Sequence, residues 1–210
     1  MTGTFITFEG GEGCGKTTQI NLLAQALSEN GRSCITTREP GGSTGAEKIR
    51  ELLVTGDADR WDAHTETLLF YAARSDHLTR TIKPALSEGK MVLCDRFADS
   101  TRVYQGVGKA VSSEYIQTLH ALVLGGFQPN LTLILDVPPD IGLARASARR
   151  GHEMRFEQLS HAFHERVREG FLNIAASEPQ RCAVVDATVS VREVADHIRS
   201  IVRSRLGIAC

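Results

Sequence analysis

Residues 4–17 read Thr-Phe-Ile-Thr-Phe-Glu-Gly-Gly-Glu-Gly-Cys-Gly-Lys-Thr, and this stretch decides the fold. A short apolar run leads into the pattern Gly10-x-x-x-x-Gly15-Lys16-Thr17, which is typical of a phosphate-binding P-loop. The apolar residues that follow have the spacing of one helix face: Ile20, Leu23, Ala24 and Leu27. The loop is therefore predicted to join a strand to a helix, which is the context that a phosphate cradle requires.

The composition of this loop indicates a nucleoside triphosphate site. Glycines let backbone N–H groups curl around phosphate oxygens, and the following helix directs its positive end at the anion. Lys16 is expected to reach the β- and γ-phosphates, and the Thr17 hydroxyl is expected to ligate Mg²⁺. The predicted triphosphate contacts in this segment are Gly10, Gly11, Glu12, Gly13, Cys14, Gly15, Lys16, Thr17 and Thr18.

Further strands alternate with helical patterns along the rest of the chain. The predicted strands cover residues 4–8, 33–37, 91–94, 131–135 and 183–185. One of the helices is predicted from the spacing of Phe156, Leu159, Phe163, Val167, Phe171 and Ile174. Strand–helix alternation favours a parallel sheet that is covered on both faces. We therefore expect a three-layer α/β/α fold of the P-loop NTPase type with five parallel strands. Residues 1–210 are expected to form one domain, with a lid segment at about residues 145–156.

Bulk composition narrows the function further. The 210 residues carry 24 Lys and Arg against 25 Asp and Glu, so the net charge of −1 argues against a dedicated nucleic-acid binder. Five scattered cysteines, with no C-x-x-C pair, argue against a disulfide framework or zinc site. The N-terminus is interpreted as a strand rather than a signal peptide, and no apolar stretch reaches the ~18 residues of a membrane helix. These features favour a cytoplasmic protein with no membrane partner.

A metal shell for the triphosphate requires a carboxylate, and two strands end in one. Asp95 follows residues 91–94 and precedes Arg96, which places a metal-directed acid beside a phosphate-directed base. Asp136 is followed by Val-Pro-Pro and is interpreted as a structural cap or turn residue. The predicted metal residues are thus Thr17 and Asp95, with Glu9 as a weaker, water-mediated candidate.

An arginine-rich segment begins at Arg145. Arg145 and Arg149 are spaced i, i+4 on one helix face, and Gly151-His152 breaks the helical pattern, so Arg150–Arg155 is interpreted as a mobile segment. Mobile cations of this kind stabilise the charge that develops on a transferring phosphoryl group. A solvated basic helix face is the alternative interpretation. We expect Arg145, Arg149 and Arg155 to contact the triphosphate.

Other polar residues indicate a second substrate. Phe70 and Arg74 are spaced i, i+4, so an aromatic face and a guanidinium could stack on a base and bond to its edge. Core packing is the alternative for Phe70. Arg38, Arg50 and Arg96 could supply forked donors to a monophosphate. A polar segment, Asp99-Ser100-Thr101 with Tyr104-Gln105-Gly106, suits a sugar or base edge.

Several of these runs together resemble the ordered motifs of the thymidylate kinase family, of the bacterial type. The resemblance spans nearly the whole chain, and Thr37-Arg38-Glu39-Pro40-Gly41-Gly42 is its most specific part. The other runs are residues 8–18, Phe70-Tyr71-Ala72-Ala73-Arg74, Asp95-Arg96-Phe97 and residues 100–106. Phe97 departs mildly from the pattern, since many members have Tyr or His there. The resemblance implies transfer of the γ-phosphoryl group of ATP to dTMP with Mg²⁺, by a homodimer.

The resemblance also implies roles by position. Arg38 and Arg96 match the arginines that hold the dTMP phosphate, with Arg50 nearby. Phe70 matches the ring that stacks on thymine, while Arg74, Thr101 and Gln105 match base contacts. Tyr104 matches the ring that disfavours a ribose 2′-hydroxyl, and Glu12 matches the loop acid near the sugar. Arg149 matches the lid arginine, so the predicted catalytic residues are Lys16, Arg96 and Arg149.

Two other functions stay open at this level. A neighbouring P-loop kinase could act on a nucleoside or on another nucleoside monophosphate. A nucleotide-dependent switch ATPase is the second alternative, although the sequence has no Asn-Lys-x-Asp run of the kind that reads guanine.

Overall fold

The computed structural model describes residues 3–57, 59–148, 156 and 159–210. Within this part of the chain, five parallel strands form one sheet in the order β2-β3-β1-β4-β5. The strands are β1 (Thr4–Glu9), β2 (Cys34–Arg38), β3 (Met91–Asp95), β4 (Leu131–Asp136) and β5 (Cys182–Asp186). The five predicted strands are confirmed, each to within one residue at either end.

Helices connect the strands and cover both faces of the sheet. They are α1 (Lys16–Glu29), α2 (Thr44–Val54), α3 (Ala63–His77), α4 (Lys83–Ser87), α5 (Ala98–Thr101), α6 (Ser113–Leu124), α7 (Pro139–Ser147), α8 (His161–Ser177) and α9 (Val191–Leu206). Two π-helical segments, Leu78–Ile82 and Arg102–Gly108, continue α3 and α5. The predicted three-layer α/β/α fold is confirmed.

The apolar side chains of β1 point alternately to the two faces of the sheet, which explains why helices cover both faces. Ile6 and Phe8 pack into a core with α1 and α9, whereas Phe5 packs on the opposite face with Leu78 and Ile82. Successive side chains of a strand point to opposite faces, so a central strand with apolar residues on both sides must be buried on both. β1 lies between β3 and β4, and its carboxyl end therefore sits at the centre of the sheet.

The register brings the predicted polar residues to one edge. Phe8 of β1 pairs with Asp95 of β3, and Asp95 also pairs with Arg38 of β2. In open parallel sheets, ligands bind outside the carboxyl ends of strands where the strand order reverses. The loop after β1, Asp95 and Arg38 all lie at that position.

One local prediction differs from the structure. The periodic run that begins at Phe156 was expected to be helical throughout, but α8 begins at His161, where the Ser160 side chain caps it by accepting from the Phe163 amide. Tertiary packing, which a local pattern does not contain, sets this boundary. The polar segment at residues 99–106 lies in α5 and in the π-helical segment that follows it, and most of its residues are buried.

Candidate active site

The loop between β1 and α1 has the backbone of an anion cradle. Gly10, Gly13 and Gly15 all have positive φ angles, of 135°, 67° and 93°. Gly15 is the N-cap of α1 and no side chain caps this helix within the described residues. The amide groups of the first turn are therefore available to an anion, and their binding of a triphosphate stays a prediction.

A close approach of α7 fixes this loop from behind. A Cβ atom on Gly13 would lie 1.9 Å from the carbonyl oxygen of Gly142, and one on Gly142 would lie 2.4 Å from the carbonyl oxygen of Glu12. Only glycine at both positions permits this backbone contact. Gly142 was not singled out from the sequence, because its role depends on a contact more than a hundred residues away.

Lys16 is buried and lies over its own loop. Its ammonium donates to the carbonyl oxygens of Gly11 at 3.0 Å and Gly10 at 3.4 Å. It also lies 3.4 Å from the Cys14 sulfur, and Cys14 packs in the core beneath α1. The arrangement holds one positive charge at the mouth of the cradle.

Thr17 and Asp95, the two main predicted metal residues, are brought together. The Thr17 hydroxyl donates to a carboxylate oxygen of Asp95 at 2.9 Å. A hydroxyl and a carboxylate are oxygen ligands of the kind that Mg²⁺ prefers, and they stand beside the phosphate cradle. Within the described residues, no cluster of three or more His, Cys, Asp or Glu side chains could hold a metal by itself. Phosphate oxygens would have to complete such a shell.

Glu9 has a different environment. Its side chain is buried, and its two oxygens accept from the Phe97 amide at 2.8 Å and from the Ser100 hydroxyl at 2.6 Å. Burial, together with nearby Asp99, raises the pKa of Glu9 to about 7, although the two hydrogen bonds and Arg96 oppose the rise. Glu9 thus ties the segment after β3 to β1, and its metal role stays a prediction.

Arg96 links the loop to the π-helical segment Arg102–Gly108. Its guanidinium donates to the Gly10 carbonyl at 2.9 Å, to Glu12 at 2.8 Å and to the Tyr104 hydroxyl at 3.0 Å, and it lies over the Tyr104 ring. Its backbone has a φ of 66°, a left-handed conformation that costs a non-glycine residue roughly 1–2 kcal/mol. Strain held by several hydrogen bonds is typical of functional positions.

Glu12 stays ionised in this cluster. Burial raises its pKa, but Arg96, Lys16 and a hydrogen bond of 2.8 Å from the Tyr104 hydroxyl outweigh that effect and lower the pKa to about 2. The Glu12 carboxylate is therefore a fixed acceptor that orients both Arg96 and Tyr104. A carboxylate in this position also balances the cations that surround the loop.

These side chains face one cleft of about 610 Å³. The predicted residues among its lining are Glu12, Gly13, Gly15, Lys16, Thr17, Arg38, Arg50, Phe70, Asp95, Arg96, Thr101, Tyr104 and Gln105. The structure thus brings both halves of the predicted site together. A larger cavity, of about 900 Å³, lies between α6 and α8. Asp99 and Gly106 of the predicted polar segment line it, but none of the residues predicted to bind ATP, dTMP or Mg²⁺ does.

Arg38 and Arg50 both line the cleft and form a positive wall. Arg38 pairs with Glu47 at 3.1 Å and keeps about half of its side chain exposed, while Arg50 donates to the Pro40 carbonyl at 2.6 Å. Forked guanidinium donors of this kind match the oxygens of a phosphate group.

An aromatic group occupies the far end of the cleft. The half-buried Phe70 ring lies 6.3 Å from the ring of Phe156, and Phe156 packs edge-on against Tyr104 at 5.7 Å. Phe156 was expected only as a helix residue, so its place in the cleft was missed. An apolar slot lined by ring faces can hold a planar base.

Arg74 lies behind this slot rather than on its surface. It is almost fully buried and donates to Glu39 at 2.7 Å, to the Phe97 carbonyl at 3.0 Å and to the Thr101 hydroxyl at 3.1 Å. Its remaining nitrogen, Nη1, has no hydrogen-bond partner within the described chain. An unpaired buried donor behind Thr101 is compatible with the predicted base contact, which stays a prediction.

Glu39 connects Arg74 to a second buried group. Its other oxygen lies 3.0 Å from Nδ1 of His77, whose Nε2 lies 2.7 Å from the Thr37 hydroxyl. Neither Glu39 nor His77 was assigned a role from the sequence, although Glu39 stands in the most specific motif. The network fixes the turn after β2 against α3.

The arginine-rich segment is described only in part. Arg145 lies near the end of α7 and donates to the Ala187 carbonyl at 2.9 Å, which joins α7 to the loop after β5. Arg149 and Arg155 lie outside the described residues, as does most of the predicted lid. Asp136 was expected to be a cap or turn residue, but it ends β4 and accepts two hydrogen bonds from Arg168, at 2.7 and 2.8 Å, while Pro138 is the N-cap of α7.

Comparisons with known proteins agree with this geometry. A family model described as thymidylate kinase matches residues 8–198. Curated thymidylate kinases from Caulobacter vibrioides and Ruegeria pomeroyi are 57% and 49% identical, over 98% of this chain and 99% and 97% of their own lengths. A crystal structure of thymidylate kinase from Ehrlichia chaffeensis matches with a TM-score of 0.78 and 36% identity, covering 96% of this chain and 100% of that one.

No helix among the described residues is both long and apolar enough to span a bilayer. The matching model covers most of the chain, and the two relatives extend over nearly all of it. The chain belongs to the thymidylate kinase family.

Proposed function

We propose that this protein transfers the γ-phosphoryl group of ATP to dTMP, giving dTDP and ADP. The observation that carries the proposal is that one cleft is lined both by a phosphate cradle with Lys16 and by the aromatic rings of Phe70 and Phe156. A site with two such halves suits two nucleotides placed end to end.

The donor half is assigned to the loop between β1 and α1. Its amide groups and Lys16 would hold the β- and γ-phosphates, and Arg145 would approach the nucleotide from α7. Thr17 and Asp95 would hold Mg²⁺, whose chemistry is to neutralise charge on the phosphate oxygens. The 2.9 Å contact between the two side chains supports that pairing.

The acceptor half is assigned to the opposite end of the cleft. Arg38, Arg50 and Arg96 would bind the dTMP phosphate, and Phe70 would stack on thymine. The Tyr104 ring, held by Glu12 and Arg96, would occupy the space of a ribose 2′-hydroxyl. Thr101, Gln105 and Arg74 would read the base. The positive wall and the buried donors support these roles.

Chemistry in this arrangement needs little base catalysis. The attacking oxygen belongs to a phosphate that is already anionic near neutral pH, so positioning and charge neutralisation do most of the work. Lys16 and Arg96 would stabilise charge from opposite sides of the transferring group. Arg149, which lies outside the described residues, is proposed as the third cation.

An acceptor comparison tests this function against the neighbouring activities. ADP release would be measured with dTMP, dUMP, dCMP, thymidine and no acceptor. We expect dTMP to give the highest kcat/KM; preference for thymidine or dCMP would indicate another kinase, and equal release without acceptor would indicate a switch ATPase. In the same assay Lys16→Ala is expected to abolish turnover, and full activity would contradict the donor assignment.

We further propose that the whole chain acts as one domain and that two copies form a homodimer in the cytoplasm. α3 and α6 pack against each other, through Tyr71 and Ile116 among others, and each exposes a leucine outward: Leu68 on α3 and Leu122 on α6. Leu68 is 48% exposed and Leu122 is 77% exposed, and two exposed leucines on helices that pack together support a partner surface there.

A further inference from the structure

A buried carboxylate stands behind the base-binding end of the cleft. Glu66 of α3 is fully buried, and its two oxygens accept from Nε2 of Gln105 and from the Lys109 ammonium, both at 2.8 Å. Gln105 is also buried, yet it lines the cleft. Gln105 therefore lies between Glu66 and any base that the cleft holds.

The ion pair of Glu66 with Lys109 decides which way the Gln105 amide points. A carboxylate that pairs with an ammonium group, as Glu66 does with Lys109, accepts hydrogen bonds and donates none. The amide must then turn its NH₂ group toward Glu66. Its carbonyl oxygen, Oε1, is left as the group that Gln105 can offer to the cleft.

We propose that Glu66 is a specificity-determining positioning residue, which locks Gln105 so that it presents an acceptor to the base. This inference rests on the proposed function. The N3 position of thymine and uracil carries a hydrogen and donates, whereas N3 of cytosine has a lone pair and accepts. An acceptor fixed at Gln105 pairs with the first two bases and repels the third.

The position of Glu66 on α3 fits this role. Glu66 and Phe70 are spaced i, i+4, so the carboxylate lies one helical turn from the ring assigned to base stacking. The same helix therefore supplies the stacking surface and, through Gln105, the polarity of the edge contact. A buried polar chain in which each member is satisfied is rigid enough to fix an amide orientation.

The test is a neutral isostere at this position. Glu66→Gln can donate as well as accept, so the Gln105 amide is free to flip. Dissociation constants for dTMP, dUMP and dCMP would be measured by calorimetry, with displacement titrations for weak binders. We expect the preference for dTMP over dCMP to fall by about tenfold, the size of one mispaired hydrogen bond. The preference for dTMP over dUMP is expected to stay unchanged.

Matched variants separate this role from a structural one. Glu178→Gln is the control, because it too replaces a carboxylate that has two side-chain partners. The partners of Glu178 are Arg102 and Arg181, and Glu178 does not line the cleft. This control is expected to lower the melting temperature without changing the base preference. Glu66→Asp keeps an acceptor-only group and is expected to retain most of the preference. An unchanged preference in Glu66→Gln, or equal loss in Glu178→Gln, would overturn the proposal.

If Glu66→Gln fails to fold, a second variant tests the same proposal. Gln105→Met removes the amide and keeps the pair of Glu66 and Lys109. We expect weaker dTMP binding with dCMP binding unchanged or tighter, because the repulsion at N3 is gone; weaker dCMP binding would show that the amide presented a donor, against the proposal. If the unmodified protein neither binds nor phosphorylates dTMP, the proposed function itself fails.

Discussion

The Thr17 hydroxyl donates a hydrogen bond of 2.9 Å to a carboxylate oxygen of Asp95. The two residues are 78 positions apart in the sequence. Thr17 lies in the first turn of α1, and Asp95 is the last residue of β3. The contact exists because β1 and β3 are neighbours in the sheet, so the loop after β1 lies beside the end of β3. A strand pairing thus assembles the proposed metal site.

Removal of the Asp95 charge tests this site. In Asp95→Asn we expect the Mg²⁺ concentration for half-maximal turnover to rise about 10- to 100-fold, as when a partner of a metal-bound group is lost. The measurement is a titration of kinase activity with MgCl₂ at saturating ATP and dTMP. The control is Asp136→Asn, which breaks the bidentate pair with Arg168 and is expected to lower stability only. A similar Mg²⁺ requirement in both variants would contradict the assignment.

The raised pKa of Glu9 predicts a specific pH dependence of stability. Its folded-state pKa of about 7 exceeds the reference value of 4.5, so the folded protein binds more protons than the unfolded chain between these values. Stability from this group is therefore highest below about pH 4.5 and decreases as the pH rises toward 7. The full difference is on the order of 3 kcal/mol.

Glu9→Gln isolates this effect, because glutamine keeps an acceptor for the Phe97 amide without the charge. Urea unfolding of both proteins would be measured from pH 5 to pH 8. We expect the stability of Glu9→Gln, relative to the unmodified protein, to increase by up to that amount as the pH rises. A difference that stays constant with pH would mean that Glu9 does not titrate in this range.

Gly142→Ala tests the contact between α7 and the P-loop. The added methyl group would lie 2.4 Å from the Glu12 carbonyl oxygen, so α7 or the loop must move. We expect a loss of about 1–3 kcal/mol in stability and a higher KM for ATP. Gly126→Ala is the control, since its Cβ would meet nothing within 4 Å. Equal effects in the two variants would show that the contact with the loop is not important.

Leu122→Asp tests the proposed homodimer. We expect the molar mass measured by light scattering to fall from twice 22.9 kDa to a single chain, because a charge replaces an apolar contact at the interface. Val191→Asp changes another exposed apolar residue, at the first turn of α9, and is expected to leave the mass unchanged. A single-chain mass before any substitution would refute the dimer.

The sequence predicted what depends on local periodicity and on one motif. The five strands, the helix after the P-loop and the strand-end position of Asp95 all follow from patterns within a few residues. The start of α8 does not, because Phe156 and Leu159 continue the apolar spacing but pack against the same core without being part of that helix. The apolar spacing therefore predicts that Phe156 and Leu159 are buried, but it does not specify whether their backbone is helical.

Contacts between distant elements set the rest of the site. Glu66, Glu39 and Gly142 each act through a partner on another element: Gln105, Arg74 and the loop at Glu12. Their importance depends on strand order and helix packing, which periodicity does not specify. The segment 98–108 shows the same effect, since its polar side chains are satisfied by Glu9, Arg74 and Glu66 and can therefore be buried in a helix.

Asp95 and Arg96 are adjacent, yet their side chains reach different parts of the P-loop: Asp95 meets Thr17, and Arg96 meets Glu12. The chain turns between them at the left-handed backbone of Arg96. In the proposed reaction, the peptide unit between Asp95 and Arg96 sets the distance between the phosphates of the two bound nucleotides. An insertion here would lengthen the path of the phosphoryl group while leaving each nucleotide its own binding surface.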